Sequence, residues 1–247
     1  MTFEDHFSGH AEAYVQHRPL YPRALFTWLA SVIRDRALAW DAGTGNGQVA
    51  VALTEHVERV VATDASADQL AHAAAHGRVE YRNEPAERVS LPSASVDLVT
   101  AGAAAHWFDL DGFYREVGRV ARSGAVIALF SYGPRDIADA LGPVVRRFHE
   151  EVLHGFWPER IQYVHDRYAT LPFPFEAIAA PELEMSAELN LAEMLAFLAT
   201  WSAAQRYFEE RGTRATGEIA GELAAEWRDP AQRREVRYPL FIRAGRV

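Results

Sequence analysis

The stretch Ala37-Leu38-Ala39-Trp40-Asp41 reads as a short buried strand. It runs straight into Ala42-Gly43-Thr44-Gly45-Asn46-Gly47, and helix-forming residues follow from about Gln48. Three glycines at every second position, between a strand and a helix, constrain this chain more than any other feature. Each is costly in backbone entropy, and together they let a ligand lie against bare backbone beside the unpaired N–H groups of a helix start. Spacing separates the ligand classes that use such a turn. A phosphate-binding loop ends in Gly-Lys-Ser/Thr, and the chain contains no lysine. A dinucleotide fingerprint needs a third glycine at position 48, where Gln48 stands. What remains is Asp-x-Gly-x-Gly-x-Gly.

The surrounding chain alternates strand and helix. Val60 to Asp64 reads as a second strand. Ser66-Ala67-Asp68-Gln69 has capping-box spacing and opens a helix that Gly77 can close. Val79 to Arg82, Ser95 to Thr100 and Ala125 to Phe130 read as further strands. Before the last of these lies an amphipathic helix with Phe113, Val117 and Val120 on one face. Such alternation argues for an α/β fold, a parallel sheet with helices on both faces. Upstream, Arg18-Pro19-Leu20-Tyr21-Pro22 breaks a helical lead-in, and Ala24 to Ile33 restarts one with Leu25, Trp28, Leu29 and Val32 inward. Downstream of Gly133-Pro134 the pattern loosens. Residues 136–155 read as helical, 156–180 is rich in aromatics and proline, and Leu183 to Leu189 alternates as a half-buried strand. Helices are expected at 191–210 and 214–227, and a last strand at 236–247 contains Pro239, which suggests an edge position or a bulge.

Composition excludes several chemistries. With no cysteine among 247 residues there is no disulfide, no Cys-ligated metal and no thiol nucleophile. The absence of lysine removes Schiff-base chemistry. His72 and His76 share a helix face but have no evident third ligand, so no metal is expected. A net charge of −9 argues against a bulk electrostatic grip on nucleic acid. No apolar run reaches membrane-spanning length and the N-terminus is acidic, so no membrane partner and a cytoplasmic location are expected.

The Asp-x-Gly-x-Gly-x-Gly turn resembles the cofactor motif of class I S-adenosylmethionine-dependent methyltransferases. The resemblance implies a Rossmann-like, seven-stranded, mostly parallel sheet, with N-terminal helices and a helical cap. It divides the chain into a lid at 1–35, a cofactor-binding core at 36–135, a cap-bearing second half at 136–235 and a final strand at 236–247. Asp41 matches the acidic residue that helps hold the cofactor's ammonium, a cation that wants a charged partner when desolvated. Asp64, 23 residues on, matches the carboxylate that accepts both ribose hydroxyls. Pro85-Ala86-Glu87, Leu91-Pro92 and Ser95-Val96-Asp97-Leu98-Val99 follow the family's adenine segment, where relatives commonly carry Asp in place of Pro85. That contact is then lost, moved to Glu84 or replaced by backbone, with the Ala86 N–H facing the ring. The implied cofactor set is Tyr14, Arg18, Asp41, Gly43, Thr44, Gly45, Gly47, Asp64, Ala65, Ala86, Glu87 and Ala103.

Ala105-His106-Trp107-Phe108-Asp109 follows the fourth strand, where the family places the acceptor. With Tyr14, Arg18-Pro19-Leu20-Tyr21-Pro22 and Thr200-Trp201-Ser202, it is similar to the small-molecule branch that includes trans-aconitate methyltransferase-like proteins. The implied activity is methyl transfer to a small acceptor, a carboxylate or a hydroxyl, by a monomer or homodimer. His106 is the candidate base; its plain reading is a histidine packed beside two aromatics. Two alternatives stand: a catalytically silent binder of S-adenosylmethionine, for which Pro85 is the sign, and a nicotinamide-dependent oxidoreductase, against which Gln48 and Asp41 count. Methylation of tRNA or protein by the same fold is disfavoured by the acidic charge.

Overall fold

The computed structural model describes residues 19–133, 137 and 140–247. A helix α1 (Arg23–Val32) precedes β1 (Leu38–Ala42), α2 (Gln48–Leu53), β2 (Arg59–Asp64), α3 (Ala67–Ala71), β3 (Val79–Asn83) and β4 (Val96–Gly102). A short 3-10 turn, Ala105–Trp107, leads to α4 (Leu110–Val120) and β5 (Ala121–Tyr132). Then come α5 (Gly142–Arg147), α6 (Gln162–His165), β6 (Glu176–Ile178), β7 (Leu183–Leu189), α7 (Leu191–Ala199), α8 (Ser202–Arg211), α9 (Ala220–Trp227) and β8 (Arg234–Arg246). The strand order is β3-β2-β1-β4-β5-β8-β6, with β7 also paired to β8. Strands β1 to β5 are parallel, and β8 runs antiparallel to its neighbours.

Alternation along the strands explains the two covered faces. In β1, Ala39 faces a cluster with Leu25, Leu29, Val60, Val126 and Phe130. Leu38, Trp40 and Ala42 face a second cluster with Val61, Val99, Phe113 and Val117. Every residue of β1 is buried, as a parallel strand between two helical layers must be. The first cluster continues through Phe148, Phe197, Trp201 and Trp227 into the helices after β5.

The seventh lane of the sheet is made of two segments. Ile178 pairs with Ala244 and Leu183 pairs with Leu240, so the outer lane carries one more residue than β8 between these points. Pro181 lies in that interruption, where a missing N–H costs no ladder bond. Pro239 does not mark an edge strand. It lies in β8, between β5 and the outer lane, opposite Glu184. Its carbonyl accepts from the Gly133 amide at 3.0 Å. In an antiparallel strand a residue's N–H and C=O face the same edge, so its absent donor lies where the β5 ladder ends at Tyr132.

Three expected helices differ in the structure. The helix opened by Ser66 stops at Ala71, because the chain after it turns onto the glycine loop: the Ala74 amide donates to the Asn46 carbonyl at 3.1 Å. Within 136–155, α5 passes into a π-helical stretch, Phe148–Val152. The expected helix at 191–210 is two helices, divided where Trp201 adopts an extended conformation and buries its ring.

Candidate active site

The strand order reverses between β1 and β4, so their carboxyl ends open the crevice where ligands of α/β sheets bind. The glycine turn stands at that end of β1. Its three glycines have different surroundings. A Cβ on Gly43 would lie 2.6 Å from the Ala104 Cβ, so the loop past β4 packs directly on it. A Cβ on Gly47 would lie 2.1 Å from the Tyr81 hydroxyl, and that hydroxyl donates to the Ala74 carbonyl at 2.7 Å. Gly45 alone of the three faces room: its φ is +54°, and a Cβ there would meet only the Gln69 side-chain oxygen, at 3.7 Å.

Two carboxylates hold the turn. Asp41, the penultimate residue of β1, has no exposed surface. One of its oxygens accepts from the Thr44 hydroxyl at 2.6 Å, the other from the Thr100 hydroxyl at 2.7 Å. Burial pushes its carboxyl up to about 6, against the opposing hydrogen bonds from Thr44 and Thr100. Asp64 ends β2 half-buried. Its Oδ2 accepts the Gly45 N–H at 2.8 Å, and its Oδ1 accepts the Ser66 N–H at 2.9 Å.

The loop after β4 forms the opposite wall. Ala103 is left-handed at φ +51°, and its amide donates to the Phe130 carbonyl at 2.7 Å. Such a backbone in a non-glycine residue persists only where its surroundings impose it. His106 is 4% exposed, and its Nδ1 lies 2.8 Å from the Tyr168 hydroxyl. Arg160 donates to the carbonyls of Trp107 and Phe108, tying the 3-10 turn to the later half of the chain.

The comparisons with known proteins agree with this geometry. Residues 40–129 match the methyltransferase domain family model. A protein of Dictyostelium discoideum named as a methyltransferase is 31% identical over 204 residues, 81% of this chain and 78% of the relative. The chain is a class I S-adenosylmethionine-dependent methyltransferase. A structure described as a type II methyltransferase from Anaeromyxobacter dehalogenans is 44% identical, with a TM-score of 0.85, covering 93% of this chain and 97% of that one. The Bacillus subtilis YcgJ structure shares the fold alone, at a TM-score of 0.52 and 17% identity, over 91% of this chain and 98% of that one.

In this methyltransferase the expected residues divide into two groups. Asp41, Gly43, Thr44, Gly45, Gly47, Asp64 and Ala65 come together around the glycine turn, and Ala103 and His106 stand on the facing loop. Asp41 differs from expectation in its exposure. Its carboxylate is sealed, both oxygens are engaged by threonines, and it braces the turn from beneath. Thr44 completes that brace, its amide donating to the Thr63 carbonyl at 3.0 Å.

The segment after β3 also carries structural duties. Glu87 accepts the Asp109 amide at 2.9 Å, so one carboxylate oxygen is spent on the entry to α4. Glu84 accepts the Ser90 amide and hydroxyl, which fixes the turn around Pro85 and disfavours the alternative that Glu84 reaches out to an adenine. Ala86 is buried beneath this turn. Asp97 lies at the far end of β4, accepting from the Ala37 and Leu38 amides and pairing with Arg122. Tyr14 and Arg18 lie outside the described residues. Sequence reasoning missed Thr100, Tyr81 and Tyr168. Thr100 and Tyr168 lie 59 and 62 residues from Asp41 and His106, and Tyr81 lies 34 residues from the Gly47 it packs on, so no local spacing marks them.

Proposed function

We propose that this methyltransferase binds S-adenosylmethionine along the glycine turn and transfers its methyl group to a small-molecule acceptor. The observation that carries the cofactor placement is the open backbone face of Gly45 at the sheet's switch point, between Asp41 and Asp64. The residues fit the cofactor. Bare backbone at Gly45 leaves the space a Cβ would fill, and the Asp64 carboxylate stands at the carboxyl end of β2 beside that turn, with the acceptor chemistry that ribose hydroxyls require. Gly43, Thr44, Gly47 and Ala65 shape this floor. The Asp41 charge favours a cation above the turn through its field. Ala86, Glu87 and Ala103 bound the adenine and sulfonium sides, and Tyr14 and Arg18 belong to the same set by resemblance.

Bound there, the cofactor supplies an activated methyl group, which the acceptor's lone pair takes. The chain's own work is positioning and exclusion of water. The 3-10 turn Ala105–Trp107, on the loop after β4 that faces the glycine turn, supports His106 as the residue nearest the acceptor. With a hydroxyl acceptor, His106 takes the proton that the acceptor loses; a carboxylate has none to give. Acceptor choice lies with residues 136–235, which carry the least regular sequence and the aromatic cluster of Trp157, Trp201 and Phe148. The resemblance of the His106-Trp107 loop and of Thr200-Trp201-Ser202 supports reading the chain with the small-molecule branch similar to trans-aconitate methyltransferase-like proteins.

The test is formation of S-adenosylhomocysteine with a panel of small carboxylic acids, phenols and alcohols. Turnover with one class, reduced by His106→Gln for hydroxyl acceptors only, supports the reading. Cofactor binding with no turnover across the panel would favour a silent binder.

A further inference from the structure

The segment that joins α3 to β3 returns onto the glycine turn and is fastened there. The Ala74 amide donates to the Asn46 carbonyl at 3.1 Å. The Ala74 carbonyl accepts the Tyr81 hydroxyl at 2.7 Å. Tyr81 stands on β3, paired in register with Ala62 of β2. One exposed alanine thus links the turn to a phenol on the sheet.

Tyr81 also meets the turn directly. A Cβ on Gly47 would lie 2.1 Å from its hydroxyl oxygen, 2.9 Å from its Cζ and 3.1 Å from its Cε1. The ring edge therefore lies flush on the Gly47 backbone, which is left-handed at φ +82° and opens α2. Gly47 answers two demands at once: a conformation that L side chains rarely adopt, and a space that the phenol already fills. Burial pushes the Tyr81 ionisation up to about 12, so the hydroxyl keeps its hydrogen as a donor.

The connection from β2 to β3 grips two consecutive residues of the turn. At its start, Asp64 accepts the Gly45 N–H at 2.8 Å. Near its end, Ala74 holds the Asn46 carbonyl. Between these grips lies buried Gln69, whose side-chain oxygen faces the open side of Gly45. An exposed amide contact such as Ala74 to Asn46 competes with water and is weak alone. The Tyr81 hydroxyl holds the same residue by its carbonyl, so the amide stays aimed at Asn46.

We propose that Tyr81 is a positioning residue for the cofactor: through Ala74 its hydroxyl fixes the Asn46–Gly47 peptide and keeps the Gly45 face in the shape that S-adenosylmethionine meets. In this role Tyr81 acts on cofactor binding and not on the transfer step. The proposal rests on the reading of the glycine turn as the cofactor's floor.

Tyr81→Phe keeps the ring on Gly47 and removes only the donor. Calorimetric titration of S-adenosylhomocysteine, well below the melting temperature, is expected to give a dissociation constant raised about three- to tenfold, the effect of one lost hydrogen bond. NMR of the ligand-free, 15N-labelled full chain supplies a second readout. In Tyr81→Phe the Ala74 amide is expected to exchange faster with solvent and the Gly45 and Gly47 amide signals to shift, with the Ala39 signal of β1 unmoved. A folded Tyr81→Phe protein that binds S-adenosylhomocysteine like wild type overturns the proposal, even where it melts earlier, because Tyr81 then has a structural role alone. Unchanged Ala74 exchange beside unmoved Gly45 and Gly47 signals overturns it too. Wild type that takes up no S-adenosylhomocysteine defeats instead the reading of the glycine turn, and the proposal falls with it.

Discussion

Thr100, on β4, donates its hydroxyl to the Asp41 carboxylate, on β1, at 2.7 Å. The two residues are paired in the parallel register of their strands. One hydrogen bond thus locks the ends of the two strands that flank the switch point, and the Thr44 hydroxyl locks the same carboxylate to the glycine turn. The ends of β1 and β4 and the glycine turn are thus tied to one buried acid.

That acid makes stability depend on pH. Asp41 ionises at about 6 when folded, against 3.8 ordinarily. Between those values the folded chain holds a proton that the unfolded chain has lost, so this group's contribution to stability falls as pH rises from about 4 to 6 and is level above. The cost of the buried charge is on the order of 3 kcal/mol. Asp41→Asn has no such charge, so its stability relative to wild type is expected to rise by that order across the window, read by thermal unfolding at several pH values.

The same carboxylate is expected to couple to cofactor binding. A cationic ligand above the turn favours the ionised acid, so binding below about pH 6 expels a proton. Affinity for S-adenosylmethionine should therefore rise with pH up to that value and flatten beyond it. In Asp41→Asn this part of the slope should vanish. Calorimetry in buffers of different ionisation enthalpy measures the proton released.

Gly45→Ala separates binding from folding. The new methyl group sits in the open face of the turn, at φ +54°. The strain is about 1 kcal/mol, a loss of a few degrees in melting temperature for a chain of this size. Cofactor affinity should fall by more than about tenfold, which corresponds to only ~1.4 kcal/mol.

Asp97 should behave in the opposite way. It satisfies the amides of Ala37 and Leu38 and pairs with Arg122 at the end of the sheet remote from the glycine turn. Asp97→Ala strands two amide donors and is expected to cost about 2–4 kcal/mol in urea unfolding. Cofactor affinity of the folded fraction should be unchanged.

Arg243→Ala is expected to loosen the Tyr168 turn. Two charge-assisted hydrogen bonds are lost, for a destabilisation of about 1–3 kcal/mol. The His106 loop loses support from the Tyr168 turn, though not from Arg160, while the glycine turn is untouched. The variant should bind S-adenosylhomocysteine like wild type and turn over acceptor more slowly.

The parts of this fold that were legible in the sequence are local. The strand into Gly43, Gly45 and Gly47, and the apolar face of Phe113, Val117 and Val120, follow from short-range spacing. So does the position of Asp64 at the end of its strand. What escaped is set by distant partners. The helix after Ser66 ends early because Asn46, twenty or more residues back in the chain, takes the Ala74 amide. Pro239 sits inside the sheet because the neighbouring ladder ends beside it, which no residue near Pro239 reveals. Glu87 matched a ligand position by motif, yet its oxygen serves the start of α4. Tyr168 lies in an aromatic stretch that resembles ordinary core, and only the folded chain brings it to His106.

The central claim is that the Gly45 face is the cofactor's floor. Calorimetric titration of S-adenosylhomocysteine into wild type and Gly45→Ala, with NADH as the control ligand, tests it most directly. The account predicts near one-to-one binding to wild type, loss of that binding in folded Gly45→Ala, and no heat from NADH. A folded, ligand-free wild type that takes up no S-adenosylhomocysteine, or a Gly45→Ala protein that binds it equally well, would contradict it.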